Sequence, residues 1–397
     1  MNFYLLTLIK AGVVALVLLT SLAYLQWAER KILAHIQLRQ GPYRVGPHGL
    51  LQPLADVIKL MTKEDLLPPY VNRFFYPFAP FLAVMLSLIA IAVIPFGPEV
   101  SVFGQRTLMQ LTDLGFGVLF LLAISSLSVY AVALGGWASN NKYSLLGSLR
   151  ASAQMISYEL PLAMAVVAPL LMANSLSLRE IGEAQAGFYL GFIPRWFVFQ
   201  WPAPQVIGFL IFLVAAFAET NRLPFDLPEA ENELVAGFHT EFSSMKFAAF
   251  FMAEYSNMIT ITAFATLLFL GAWHPPFPAG LGSDYVPVLV FLTAAAVSLY
   301  HGLNPARGRD RRSLPVVSLA FFAVGIAFGV PLLQTYLTPV FWFAAKTGAI
   351  LFLFMWVRCT LPRFRYDQLM GFTWKFLFPL SVANLLFTGL VVALSGE

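Results

Sequence analysis

Long runs of apolar side chains recur from one end of the 397-residue chain to the other, and nothing else constrains its fold as strongly. A helix needs about 20 mostly apolar residues to cross bilayer hydrocarbon, where every backbone amide must find its partner inside the segment. Ten stretches reach or approach that length: about 4–27, 75–95, 113–134, 156–173, 204–220, 245–270, 285–301, 315–333, 339–358 and 375–394. Hydrophobic residues make up 59% and charged residues only 11%, against about 25% charged in soluble domains. So few charges cannot coat a water-soluble globule, which excludes a soluble enzyme. The expected fold is all-α: a polytopic integral membrane protein of about ten transmembrane helices, organised as one transmembrane domain over residues 1–397.

Charge placement orients these spans. The connections 28–74, 135–155, 219–246, 301–314 and 358–375 hold nineteen of the 24 Lys and Arg, while the alternate connections hold only Arg106, Arg179 and Arg195. Lys10 and Lys346 lie within apolar stretches. The positive-inside rule puts the basic set in the cytoplasm and both termini outside. The first stretch lacks a basic start and a small-residue cleavage site and runs into Glu29-Arg30-Lys31, so it reads as a span rather than a signal peptide. In the first basic connection, Leu50, Leu51, Leu54, Val57, Ile58 and Met61 recur at helical spacing, with Asp56, Lys59 and Lys63 on the other side. This pattern predicts a cytoplasmic-side amphipathic helix, lying in the membrane interface, packed on neighbouring protein, or both.

The acidic residues are concentrated. Glu159 falls inside the fourth stretch, Glu219 ends the fifth, and Glu254 lies within the sixth. Between the last two runs Ala218-Glu219-Thr220-Asn221-Arg222-Leu223-Pro224-Phe225-Asp226, followed by Glu229, Glu231, Glu233 and Glu241. An ionised group at membrane depth costs roughly 3 kcal/mol on insertion scales, so it persists where it faces a wet cavity, pairs with a cation or changes protonation. Glu159 and Glu254 are therefore expected in a shared polar interior, the bland alternative being helix-packing acids satisfied by a hydroxyl or an Arg. Pro224, Pro228, Phe225 and Leu227 argue that the acidic connection is a partly buried, re-entrant loop. One cysteine, Cys359, rules out an internal disulfide and a four-cysteine metal or iron–sulfur site. The five histidines show no metal-ligand spacing, and no phosphate loop or nucleophile motif is present. No metal site and no redox centre within the chain are expected; any redox role must use a partner's cofactor.

Three sets of motifs carry a resemblance. The first is Glu29-Arg30-Lys31-Ile32-Leu33, Gln37-Leu38-Arg39-Gln40-Gly41-Pro42, Val45-Gly46-Pro47 and Gly49 to Asp56. The second is Ser157-Tyr158-Glu159, the Glu219–Asp226 run, Pro228-Glu229-Ala230-Glu231 and Ala253-Glu254-Tyr255. The third is Arg358 with Pro362-Arg363-Phe364-Arg365-Tyr366-Asp367. In this order the chain closely resembles the NADH-quinone oxidoreductase H-subunit family, equivalent to the mitochondrial ND-one subunit of respiratory complex I.

That resemblance implies a subunit at the heel of the membrane arm of a proton-translocating NADH:quinone oxidoreductase. It implies contacts with quinone-site peripheral-arm subunits, small membrane subunits, antiporter-like subunits and lipid, and none with nucleic acid. Quinone is the implied substrate, with the iron–sulfur cluster and flavin supplied by partner subunits, in a bacterial inner membrane with both termini on the periplasmic side. Carried over by position, Glu29, Arg30, Arg39, Asp56, Phe251 and Arg358 resemble quinone-channel residues. Glu159, Glu219, Glu229, Glu231 and Glu254 match the acids proposed to lead protons away from the quinone cavity, and Asn221, Arg222, Pro224 and Asp226 shape the loop between them. Closely spaced carboxylates titrate as a coupled set, so quinone reduction is expected to shift protonation at Glu229/Glu231 and to be relayed by Glu219, Glu159 and Glu254.

Family members usually have eight spans, so 285–333 is expected to be an extra helical hairpin, placed against lipid or an accessory subunit. Phe242 stands where Tyr is more usual. Two rivals share parts of this pattern: the related membrane subunit of energy-converting hydrogenases, which has the Glu-Arg-Lys element, and an independent cation or proton transporter, for which buried acids and broken helices would also serve.

Overall fold

The computed structural model describes residues 3–102, 105–226, 236–304 and 310–395. Each of the ten apolar stretches coincides with a helix: α1 (Phe3–Ile36), α3 (Phe75–Ile91), α4 (Gly117–Ala138), α5 (Lys142–Ala173), α7 (Val206–Glu219), α8 (Ser244–Phe269), α9 (Val286–Leu303), α10 (Asp310–Gly329), α11 (Pro331–Thr360) and α13 (Phe378–Ser395). Seven helical segments are long and apolar enough to cross a bilayer, and α3 and α7 are shorter apolar helices. The remaining one, α8, carries Lys246 and Glu254 within its 26 residues. The expected amphipathic helix is α2 (Gln52–Thr62), with Leu54, Val57, Ile58 and Met61 exposed along one side. Among the described residues two further short helices are α6 (Leu178–Ala184) and α12 (Tyr366–Phe372), the latter continuing through a π turn into α13.

Helix ends run further into the connections than apolarity alone indicates. The first helix passes through Trp27 to Ile36 because that segment holds no Gly or Pro, and Gly41-Pro42 lies beyond its end. Glu29 and Arg30 are therefore helical, not in the loop. The expected 135–155 connection is mostly the start of α5, capped by the Asn141 side chain, which accepts from the Tyr143 amide at 2.9 Å. Two strand pairs go beyond the all-helical expectation: β1 (Glu99–Val102) with β2 (Gln105–Leu108), and β3 (Phe188–Tyr189) with β4 (Ile193–Pro194), both antiparallel. Each is a short hairpin in a connection opposite the basic ones, where hydropathy says nothing about pairing.

One large apolar core joins α4, α5, α7, α8 and α11 around Tyr158, Leu162, Phe212, Met258, Leu267 and Phe354. A smaller one lies beside the acidic connection, where Tyr76, Ala151, Phe238, Phe242 and Phe250 meet. There Phe242 stacks on Tyr76 with ring centroids 4.4 Å apart, so the missing hydroxyl is absorbed by packing. The hairpin of α9 with α10 packs mainly on itself and touches the rest of the bundle through α11. Ser318 on α10 donates to Ala295 O at 2.8 Å, while Leu289, Val297, Leu319 and Phe322 stay exposed.

Both lysines inside apolar stretches are spent on backbone. Lys10 donates to Leu108 O at 2.9 Å, and Lys346 donates to Leu270 O and His274 O at 2.6 and 2.9 Å.

Candidate functional site

The geometry of the site starts at the end of α7. The last turn closes with Asn221 in the left-handed region (φ 50°), which Asn tolerates better than most residues. The Asn221 and Arg222 amides donate back to Ala218 O and Phe217 O at 3.3 and 3.2 Å. This is a Schellman ending, which satisfies carbonyls that an abrupt stop would orphan. It folds the chain back under the helix, and Pro224 prevents the helix from resuming. The following residues are held by the last basic connection: Phe364 N donates to Pro224 O at 3.1 Å, and Arg363 pairs with Asp226 at 2.9 Å. The described part of the acidic connection is thus buried, as a re-entrant loop requires.

Arg222, only 5% exposed, is delivered by this turn into an ion cluster. Its Nε lies 3.0 Å from Glu254 Oε1 on α8, and its Nη1 lies 3.4 Å from Glu29 Oε1 on α1. Glu29 is 3% exposed and also pairs with Arg358 at the end of α11. Tyr255 donates its hydroxyl to Glu29 Oε2 at 2.7 Å, while the Arg222 guanidinium lies over the Tyr255 ring, 4.3 Å from its centroid. Two carboxylates and two guanidiniums so balance at low exposure, which is the condition under which buried charge is tolerated. Four expected site residues, distant in sequence, meet here.

A second group of acids is served by hydroxyls instead. Glu159 on α5 accepts a hydrogen bond from Ser126 on α4, and Glu219 lies beside Ser125 and within electrostatic reach of Glu159. Glu219 Oε2 is buried with no partner among the described residues. Two cavities of about 50 Å³ each open at this carboxyl. A water needs roughly 15 Å³ of such space, so each accommodates a few. Both are lined by Ser128, Glu219, Thr220 and Asn257; one continues to Leu162 and Thr260, the other to Asn221, His239 and Glu254. The bland alternative describes both acids for which it was raised, since Glu254 has its Arg and Glu159 its hydroxyl; Glu219, for which it was not raised, sits on cavity space between the two neighbourhoods.

Other expected residues lie apart. Arg30 and Asp56 pair with each other at 2.7 Å and join α1 to α2, with Gln52 donating to Asp56 at 3.0 Å. Phe251 belongs to an aromatic group with His239 and Phe247, at 5.6 and 4.6 Å between centroids. Arg39 is exposed and donates to the side chain of Gln37 at 2.7 Å. Glu229 and Glu231 lie outside the described residues. Glu241 is a clamp: its carboxylate accepts from Tyr70 and Asn141 at 2.8 and 2.7 Å, and its carbonyl accepts from Tyr76 at 2.6 Å. Among the described residues, no group of three or more His, Cys, Asp or Glu is placed to hold a metal.

Sequence reasoning missed Tyr255 and Asn257. Spacing gives a signal for Asn257, three residues after Glu254 and on the same helix face; Tyr255, one residue on, lies off that face, and only its place beside Glu254 in the family-like motif pointed to it.

Comparison with known proteins agrees with this architecture. The family model described as NADH dehydrogenase matches residues 9–389. The chain is 64% identical over 392 residues to an NADH-quinone oxidoreductase H-subunit of Solibacter usitatus, covering 99% of this chain and 98% of that one. It is 48% identical to an H-subunit of Koribacter versatilis with the same coverage, and 44% identical to one of Geobacter metallireducens over 98% and 96% of the two chains. Coverage this complete means that these relatives have room for the 285–333 segment as well. The chain is a multi-pass membrane protein that belongs to the NADH-quinone oxidoreductase H-subunit family, the membrane subunits of respiratory complex I.

Proposed function

We propose that this subunit forms part of the quinone channel of complex I and the first part of the acidic path that couples quinone reduction to proton translocation. The observation that carries the reading is the position of Glu219. It lines both cavities, one of which also reaches Glu254 in the ion cluster, and it lies within electrostatic reach of Glu159.

Reduction of a quinone to a quinol takes up electrons and protons in equal number, so each turnover places transient negative charge near the head group. In this reading the electrons arrive from a partner's iron–sulfur cluster, and the chain's own residues handle charge. Arg222 and Arg358 hold Glu29 and Glu254 as a balanced set, so a new negative charge nearby competes for the same guanidiniums. A weakened Arg222–Glu254 pair favours proton uptake at Glu254. The water-sized space between Glu254 and Glu219, with Asn257 and Ser128 on its wall, offers the next stations, and Glu159 with its serine partner continues the path. Glu229 and Glu231 are assigned to the entrance of this path by family position alone. The apolar faces of α1, α2 and α8 suit the quinone tail. The orientation that fits places the basic ends in the cytoplasm of a bacterium, both termini on the periplasmic side, and the peripheral-arm and antiporter-like subunits as neighbours.

The test is Glu159→Gln and Glu219→Gln in the assembled complex. Both changes keep size and hydrogen bonding while removing titration. Quinone-linked turnover and proton pumping fall at least roughly tenfold, with assembly intact. Normal activity in both variants defeats the reading.

A further inference from the structure

Gln154 is a polar side chain that the path described above does not use. It lies on α5, five residues before Glu159, and is completely buried. Its amide nitrogen donates to Ala218 O at 2.8 Å and to Phe225 O at 2.8 Å, and it lies 3.4 Å from Asn221 Oδ1. An amide NH2 has two hydrogens, so the two short bonds use both. Their acceptors are the two ends of the re-entrant turn: Ala218 is the residue before Glu219 in the last turn of α7, and Phe225 closes the far side after Pro224. One side chain therefore spans the mouth of the turn and ties it to the helix that carries Glu159.

We propose that Gln154 is a positioning residue that holds Glu219 in register with Glu159 and makes the turn bearing Arg222 move with Glu219; the inference rests on the coupling role of Glu219 proposed above. Three features support it. The serines that serve the two acids, Ser125 and Ser126, are adjacent on α4, so the pair is fixed from that side by a single rigid element. From the other side, the hydrogen bonds of Gln154 link α5 to the end of α7 just before its carboxylate. The amide oxygen of Gln154 is buried with no partner among the described residues, so the side chain is held through its donors. A group kept for packing alone would be served as well by an apolar chain of the same length, which would leave no oxygen orphaned. Glu219 and Arg222 both lie within the segment, Ala218 to Phe225, that Gln154 closes, so a displacement of Arg222 is carried to Glu219 rather than absorbed by a loose loop.

Gln154→Met separates the two roles, because it preserves length and packing and removes both donors. Measured in the assembled complex in membrane vesicles, it lowers kcat for quinone-linked turnover about fivefold and leaves the quinone KM within about twofold, since a misplaced relay group slows turnover without disturbing substrate binding. Proton translocation per electron falls with it. Gln154→His, which presents one ring N–H and so remakes at most one of the two bonds, recovers part of the kcat lost in Gln154→Met. The proposal is overturned if Gln154→Met matches the parent in kcat and pumping, if Gln154→His is as impaired as Gln154→Met, or if both variants fail to assemble, which would make the residue purely structural. Glu219→Gln is measured alongside. If Glu219→Gln is impaired while Gln154→Met is normal, this inference alone falls. If Glu219→Gln is normal, the coupling reading falls and takes the positioning role with it.

Discussion

Two pairs of carboxylates, Glu29 buried and the other three partly buried, stand in the same bundle and are treated in opposite ways. Glu29 and Glu254 face arginines, with Tyr255 adding a hydroxyl to Glu29. Glu159 and Glu219 face serines, and Glu219 also faces cavity space. A carboxylate flanked by guanidinium has its charge held in place, and removing the cation leaves an uncompensated ion in a poorly solvated site. A carboxylate served only by hydroxyls has nothing nearby to neutralise it, and its charge state is free to respond to a neighbour's. The first pair is held by cations; in the proposed coupling path the second is the pair whose charge would change.

Substitutions test that contrast, beginning with the greatest effect. Arg222→Leu strips the cation from Glu254 and one of two from Glu29. It is expected to cost about 3–5 kcal/mol, read as loss of the subunit from the complex or a lowered thermal midpoint. Adding Glu254→Gln to it recovers part of the loss, whereas Glu219→Gln added to it recovers none. Next in size, Glu219→Gln alone lowers pumping at least roughly tenfold while leaving thermal stability within about 1 kcal/mol; a large stability loss would show that Glu219 is an anchor after all.

A pH test follows, in the connection after α8. Burial first, and then the Lys346 charge, push His274 down from 6.5 to about 4. Its neutral form is thus the one the fold prefers. The sign follows from linkage: the contribution is complete above about 6.5 and is lost as pH falls towards about 4, because the unfolded chain binds that proton first. His274→Gln flattens the thermal midpoint of the complex across this window, and an unchanged slope contradicts it. The smallest effect is at the surface. Arg30→Ala breaks the exposed pair with Asp56 and costs less than about 1 kcal/mol by the same thermal measurement.

Much of this architecture can be read from residues alone, and the limit has a physical basis. Ten apolar stretches announce ten helices because hydropathy is a local property. The tether between the Arg222 turn and Glu29 is not local, since the partners are 193 residues apart and nothing in either segment names the other. Acid positions expose Glu159, Glu219 and Glu254, because charge is conspicuous among apolar neighbours. Gln154 and Asn257 carry no charge and pass as ordinary polar residues of a helix, although both touch the same turn or cavity as the acids. The Glu241 carboxylate reads with the other acids by composition, yet its geometry is that of a brace between Tyr70, Asn141 and α8. The two strand hairpins escape notice because runs this short are indistinguishable from coil without their partners.

The brevity of α7 has a consequence of its own. Fourteen residues at 1.5 Å each make about 21 Å of helix, short of the roughly 30 Å of hydrocarbon. A helix of that length cannot cross the hydrocarbon alone, and the carboxyl of Glu219 stands at the end where it falls short. Residue count acts here as a ruler, and lengthening the helix by one turn would carry that group about 5.4 Å further along the helix axis, away from its serine and cavity neighbours.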